Sequence, residues 1–314
     1  MSATGRSTDT SPGNRFESIH VELEPLEAED ELPRKIPTRF YDDVSFSVIS
    51  TNASPDIPFR YSINPYRGCE HGCAYCYARP SHETLGMNAG IDFESKIVVK
   101  RALEKQLRKE LNHKRWRGDH IMLSGVTDCY QPAEAHFRLT RTILEVFAES
   151  RQAFSIITKN RRVVRDLDLL TEAARQRRTQ VYISLTTLDG ELARQMEPRT
   201  STPQARLRAI GELATAGVPV GVMVAPLIPG LNDSELPQLL AAAHAAGAQA
   251  AGTILLRLPL TVAPLFERWL KEHRPQDADR VLARIRGCRA GQLNGSQFGE
   301  RMSGTGAYAA TLFE

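Results

Sequence analysis

An α/β fold is what the sequence predicts: a partial, TIM-like barrel of six βα units, with an N-terminal extension and C-terminal helices. Three observations predict it. Six short apolar runs of strand length recur through the middle of the chain, helical patterns alternate with them, and glycines fall where helices would close. The runs read as strands buried on both faces, the pattern of a parallel sheet covered by helices.

Taken in order, residues 1–37 are polar, acidic from Glu22 to Glu31 and broken by Pro25, Pro33 and Pro37. That composition predicts a disordered or surface-draped extension. The barrel is expected over 38–262. Its strands are predicted at Phe59 to Ile63, His120 to Ser124, Phe154 to Thr158, Gln180 to Thr186, Val218 to Ala225 and Gly252 to Leu258. Helices are predicted between them, at Tyr77 to Leu85, Arg101 to Lys114, Glu134 to Ser150, Arg162 to Gln176, Pro203 to Thr215 and Ser234 to Ala246. Gly217 and Gly247 sit at C-cap positions. Residues 263–314 add two amphipathic helices, Ala263 to His273 and Ala278 to Arg286, and a Gly-rich tail. In such a barrel the chemistry belongs at the C-terminal ends of the strands.

Composition excludes several classes. No apolar run reaches the roughly 18 residues that span a bilayer, and the Ser/Thr/Gly-rich start has no apolar stretch of a secretory signal. A cytoplasmic protein without a membrane partner is expected. The net charge of +3 names no partner, but eight Lys/Arg lie between Lys100 and Arg117 against Glu104 and Glu110. Such a run reads either as a solvated helix surface or as a phosphate-contacting face. Five cysteines, three of them within eight residues, do not fit a disulfide framework and point to a metal or cluster.

Those three are Cys69, Cys73 and Cys76, in Asn64-Pro-Tyr-Arg-Gly-Cys-Glu-His-Gly-Cys-Ala-Tyr-Cys-Tyr77. Iron–sulfur clusters are held by thiolates, one to each iron. A C-x3-C-x2-C loop wraps three corners of a 4Fe–4S cluster and leaves one iron open. The motif resembles that of radical S-adenosylmethionine (SAM) enzymes, which implies that the open iron chelates the amino and carboxylate groups of SAM. It also implies that reduction cleaves SAM to methionine and a 5′-deoxyadenosyl radical that takes hydrogen from a substrate. Gly68 and Gly72 let the loop fold tightly. The alternative, structural zinc, would need His71, Cys129 or Cys288 as a fourth ligand, with no second C-x2-C in the chain.

Motif, aromatic Tyr75 before the last cysteine and the six-strand layout together resemble the radical SAM superfamily, over roughly Phe59 to Leu258. Further residues resemble its spore photoproduct lyase-like (DNA-repair-photolyase-like) branch: Leu123-Ser-Gly-Val-Thr-Asp-Cys-Tyr-Gln-Pro-Ala-Glu134, Ile157-Thr-Lys-Asn160, Ile183-Ser-Leu-Thr186 and Val224-Ala-Pro-Leu-Ile-Pro-Gly-Leu-Asn-Asp233. The resemblance implies that Thr127, Asp128, Lys159 and Ser184 contact SAM, with Tyr75 beside the adenine and Arg199 on the SAM carboxylate or a substrate anion. Lys159 suits a carboxylate, and short hydroxyl side chains suit ribose. Each also has a structural reading: Asp128 as a cap or loop brace, Lys159 as a surface lysine, Ser184 as a small residue in a strand. Spore photoproduct lyase keeps a hydrogen-donating cysteine just before its Ser-Asp pair. Here Gly125 matches that position, and Cys129 follows Asp128. Cys129 is therefore either a hydrogen-atom donor facing the cavity or a small buried hydrophobe. Cys288 reads as structural.

The resemblance implies a radical SAM enzyme served by a reductant such as flavodoxin or ferredoxin. Nucleic acid is the first substrate class to test, given the branch and the basic run. The alternatives are a peptide or small metabolite as substrate, or a non-catalytic iron–sulfur protein.

Overall fold

The structure, a computed structural model, describes residues 3–16 and 34–312. The predicted acidic stretch from Glu22 to Glu31 lies outside the described residues. Six parallel strands form the frame: β1 (Tyr61–Ile63), β2 (Ile121–Leu123), β3 (Phe154–Thr158), β4 (Thr179–Ser184), β5 (Val220–Leu227) and β6 (Ala250–Leu255). They pair in sequential order, and Ile49–Thr51 adds an antiparallel strand outside β1. The sheet therefore has two edges and does not close. Helices α1 (Leu103–Leu111), α2 (Leu139–Ser150), α3 (Leu167–Arg175), α4 (Pro203–Thr215) and α5 (Leu236–Ala245) return the chain between strands.

The two faces of the sheet differ in chemistry. Paired residues of parallel strands point the same way. Ile121, Leu123, Phe154, Ile156, Val181, Ile183, Val220 and Val222 share a fully apolar core with Leu144, Phe147, Leu170, Ile210, Leu213 and Leu239 of the helices. The opposite face carries Ser62, Met122 and Ser155 in one register row, then Tyr182 beside Gly221, and Ser184 beside Met223. So one face is wholly apolar, while the inner face mixes hydroxyls and small groups with Met122, Ile157 and Met223. Gly221 is required there, since a Cβ would stand 2.6 Å from the Tyr182 ring.

The observed strands lie within a few residues of their predicted positions, but other elements differ. The predicted helix from Glu134 to Ser150 breaks at Arg138, whose φ is +52°, because Glu134 turns its carboxylate to accept from the backbone of Thr140 at 3.1 Å and so caps α2. A second sheet of Arg39–Asp42, Lys96–Val99 and Tyr66–Arg67 was not foreseen. The basic run lies mostly away from the strand C-termini. Arg108 is paired with Glu104 and Glu149, Arg101 with Asp42, and residues 112–120 lead into the N-terminal end of β2, opposite the end where the chemistry was expected.

Described residues near both ends of the chain pack on the body. Arg6 bonds Glu94 and reaches Glu70, while Asn14 is buried and donates to the Glu83 carbonyl at 3.0 Å. This part of the N-terminal extension is thus packed against the barrel. Helices α6 (Val262–His273) and α7 (Ala278–Gly287) share an apolar cluster with Cys73, Ala74 and Tyr75 through Phe266, Trp269, Leu270 and Val281. The tail continues across the open side of the sheet: the Leu255 amide donates to the Met302 carbonyl at 2.8 Å, and Arg301 bonds Asp56, ahead of β1, at 2.5 Å. Among the described residues no helix is long and apolar enough to cross a membrane.

His82 links this packing to pH. It is fully buried in the 3-10 helix Arg79–Leu85; its Nε2 donates to the Lys96 carbonyl at 2.9 Å, and its Nδ1 has no partner among the described residues. Burial pushes its pKa down to about 4 from 6.5. Between these values the unfolded chain binds the proton and the folded chain does not. The contribution is therefore complete above pH 6.5 and is lost as pH falls toward 4, by at most about 1.4 kcal/mol per unit. Melting temperature measured from pH 7 to 5 should fall less in His82→Leu than in the parent.

Candidate functional site

The cysteine loop runs from β1 to the 3-10 helix and is held from several sides. The Cys69 amide donates to the Phe93 carbonyl at 2.9 Å, and the Ala74 amide to the Met196 carbonyl at 2.9 Å. Gln131 accepts from the Glu70 amide at 2.8 Å and donates to the Gly68 carbonyl at 3.1 Å. Fully buried Arg79 donates to the Cys73 carbonyl through Nε and Nη2, at 3.2 and 2.9 Å, and pairs with Glu94 at 2.5 Å. Gly68 and Gly72 have φ of +79° and +64°, and a Cβ on Gly72 would meet Arg6 at 2.6 Å. These are positions where only glycine fits without strain.

All three cysteines are unpaired thiols, with Cys69 and Cys73 buried and Cys76 half-buried. Burial pushes the Cys69 thiol up to about 12, with Asp128 adding to the effect. Burial also raises Cys73 and Cys76, although Lys159 opposes it at both. A bound metal would favour the thiolate form that burial disfavours. Three free thiols on one tight loop are the donor type that a 4Fe–4S cluster takes, one thiolate to each of three irons.

Lys159, at the end of β3, is half-buried, 5.9 Å above the Tyr75 ring, and its Nζ donates to the Ala225 carbonyl at 3.3 Å. No carboxylate pairs with it among the described residues. Burial pulls its pKa down, and the neighbouring Cys73 works against that. Ser184 lies buried on the inner face at the end of β4. Tyr75, Lys159 and Ser184 thus stand at the strand ends on the cysteine-loop side.

The other predicted contacts have internal partners. Asp128 accepts from the Thr158 hydroxyl at 2.7 Å, the Tyr130 amide at 2.8 Å and the Lys159 amide at 2.8 Å, and lies 3.5 Å from His71 Nδ1. Burial holds the His71 pKa near 4, so that contact is to a neutral ring. Asp128 is a brace between the β2 loop, β3 and the cysteine loop. Thr127 donates to the Tyr66 carbonyl at 2.7 Å. Arg199 donates to Glu70 of the cysteine loop at 2.8 Å. Of the two places expected for Cys129, cavity or core, the structure has the core: it is fully buried in the main apolar cluster and is not brought to the other residues.

Sequence reasoning missed a buried pair beneath the site. Glu197 accepts from the Tyr75 hydroxyl and from Thr186 at 2.8 Å, and is paired with Arg206. Arg206 also donates to the carbonyls of Ser201 at 2.7 Å and Ser184 at 3.1 Å. Glu197 lies two residues before Arg199 in the Met196-Glu-Pro-Arg199 run, the one local signal for it; Arg206 carried none.

A family model described as the radical SAM superfamily matches residues 63–243. An uncharacterized protein of Mycobacterium tuberculosis is 40% identical over 258 residues, covering 79% of this chain and 76% of that one. An uncharacterized protein of Methanocaldococcus jannaschii is 34% identical over 176 residues, 56% of this chain and 63% of its own. Among solved structures, a spore photoproduct lyase mutant with bound AdoMet and dinucleoside spore photoproduct superposes with a TM-score of 0.56 at 19% identity, covering 75% of this chain and 66% of that chain. Spore photoproduct lyase complexed with dinucleoside spore photoproduct gives 0.53 at 20%, over 75% and 67%. At these identities the likeness is one of fold.

Proposed function

Because the chain belongs to the radical SAM superfamily, whose members use a 4Fe–4S cluster and SAM, we propose that Cys69, Cys73 and Cys76 hold that cluster and that Lys159, Tyr75 and Ser184 line the SAM pocket. When bound, the two cofactors supply reductive cleavage of SAM to methionine and a 5′-deoxyadenosyl radical that takes a hydrogen atom from substrate. The carrying observation is Lys159, a half-buried ammonium without a carboxylate partner among the described residues, beside the thiols and over Tyr75. It is poised for an incoming carboxylate. Ser184 offers a hydroxyl to a ribose, and Tyr75 belongs to one apolar cluster with Ile228, Leu256 and Phe266. Asp128, Glu70 and Glu197 act as positioning residues. Cys129, in the core, has no part in this reading.

For substrate we propose nucleic acid, in a cytoplasmic protein reduced by a flavodoxin or ferredoxin. The fold likeness to spore photoproduct lyase bound to a dinucleoside supports it. The test has two arms. Protein reconstituted anaerobically, reduced and given SAM should form 5′-deoxyadenosine; none from a protein with an intact cluster would sink the enzyme reading of this site. Oligonucleotide binding should weaken steeply with salt, and salt-independent binding would remove nucleic acid.

A further inference from the structure

The basic run pointed away from the strand C-termini, so any polyanion reaching the site needs other cations. They stand on the open side of the sheet. Arg257, just after β6, places its guanidinium 5.5 Å over the ring of Tyr77. Tyr77 follows Cys76, is 45% exposed, and donates its hydroxyl to the Gly125 carbonyl, beyond β2, at 2.7 Å. One ring thus connects the cysteine loop, β2 and β6. Beside it the tail brings Arg301 to 4.7 Å over Phe298, which is 57% exposed.

The two arginines differ in their partners. Arg301 is held by Asp56 at 2.5 Å, and the same carboxylate accepts from the Gly299 amide at 2.7 Å. Arg257 makes no ion pair among the described residues, although the Asp56 charge acts on it from nearby: its Nε is buried without a partner, and Nη1 reaches only the Met302 sulfur, at 3.9 Å. A half-buried guanidinium left without an acceptor is costly, and an arriving anion removes that cost. Exposed rings interleaved with arginine are the arrangement that binds single-stranded nucleic acid, with phosphate on the cation and bases against the rings.

We propose that Arg257, Tyr77 and Phe298 form a docking subsite for single-stranded nucleic acid, Arg257 taking a phosphodiester and the two rings its flanking bases. The inference rests on the nucleic-acid reading above and assigns it to named residues. Tail residues 298–302 build the subsite, which gives the strap across the open side of the sheet a function.

The test is fluorescence anisotropy of labelled hexathymidylate on the reconstituted, SAM-loaded protein. Arg257→Gln should bind about tenfold more weakly and lower the slope of log affinity against log salt by about one. Phe298→Ala should weaken binding about tenfold with no change of slope. Joint replacement of Lys109, Lys114 and Arg115 by glutamine, at the far end, should leave affinity unchanged. Iron content and SAM affinity should be unaltered in Arg257→Gln, which separates docking from folding and from the SAM pocket. If the parent binds the oligonucleotide and Arg257→Gln binds it equally, or if the far-end variant is the weak one, the subsite is wrong and the nucleic-acid reading stands. No binding by the parent overturns both. Loss of SAM affinity in Arg257→Gln would move Arg257 into the cofactor pocket and overturn the proposal.

Discussion

Cys73→Ala is expected to fold yet to hold no intact cluster and to form no 5′-deoxyadenosine from SAM. With Cys73 gone, two thiolates remain for a cubane that already relies on one open iron. The fold should survive, because the anchor at this position is backbone: the Cys73 carbonyl receives Arg79, and the adjacent Ala74 amide bonds Met196. Iron per chain should drop from about four toward zero, and the visible absorption of the cluster should vanish. Cys69→Ala and Cys76→Ala should behave alike, since the three act as a unit. Cys129→Ala and Cys288→Ala are the matched controls. Both side chains are fully buried, so each loss should cost about 1 kcal/mol of stability and leave iron content unchanged. If Cys129→Ala lost the cluster and Cys73→Ala kept it, the ligand assignment would be void. If Cys129→Ala formed 5′-deoxyadenosine but no longer completed turnover of a substrate, the thiol would have to reach the cavity from its place in the core.

What could be read from the sequence was what is local. C-x3-C-x2-C is a spacing along the chain, and the positive φ of Gly68 and Gly72 was implied by the tightness of the loop. The strands were legible because apolar runs bounded by turn residues mark β-structure at short range. Lys159 and Ser184 were legible as strand-end residues, and the structure puts both on the site's side of the sheet. What was not legible depends on distant partners. Asp128 and Arg199 were legible as polar residues near the loop, but their partners Thr158 and Glu70 lie 30 and 129 residues away along the chain. Cys129 sits in a loop where no alternation tells core from cavity. The basic run from Lys100 to Arg117 showed its charge but not its place, since only the parallel direction of β2 sends it to the far end. Likewise the Gly-rich tail carried no pattern that foretold its docking on Leu255 and Asp56.

The second large effect is expected at Arg206, which touches neither cofactor pocket residue Lys159 nor the cysteines by any hydrogen bond. Arg206 and Glu197 have side-chain exposures of 1% and 0%. Arg206→Ala removes the ion pair and the bonds to the Ser201 and Ser184 carbonyls, leaving a buried carboxylate with no countercharge and only the Tyr75 and Thr186 hydroxyls as donors. Breaking such a pair from one side costs about 3–5 kcal/mol. Burial already raises the Glu197 pKa, with Arg206 opposing it; without Arg206 it rises further. The sign of the pH effect follows. A folded-state pKa above the unfolded value of 4.5 means the folded chain holds the proton longer, so the penalty is smallest in acid and grows as pH climbs through the raised value. Denaturant unfolding should therefore show a smaller gap between Arg206→Ala and the parent at pH 5 than at pH 7; a gap independent of pH would mean Glu197 stays charged and solvated. Replacing both residues, Arg206→Met with Glu197→Leu, removes the lone charge and should recover part of the stability. It should not recover SAM affinity, because the Tyr75 hydroxyl bonds Glu197, and a tyrosine without that acceptor no longer holds its ring under Lys159. Stability restored together with SAM binding would show that Glu197 serves the fold alone; stability restored without it makes Glu197 the positioning residue for Tyr75.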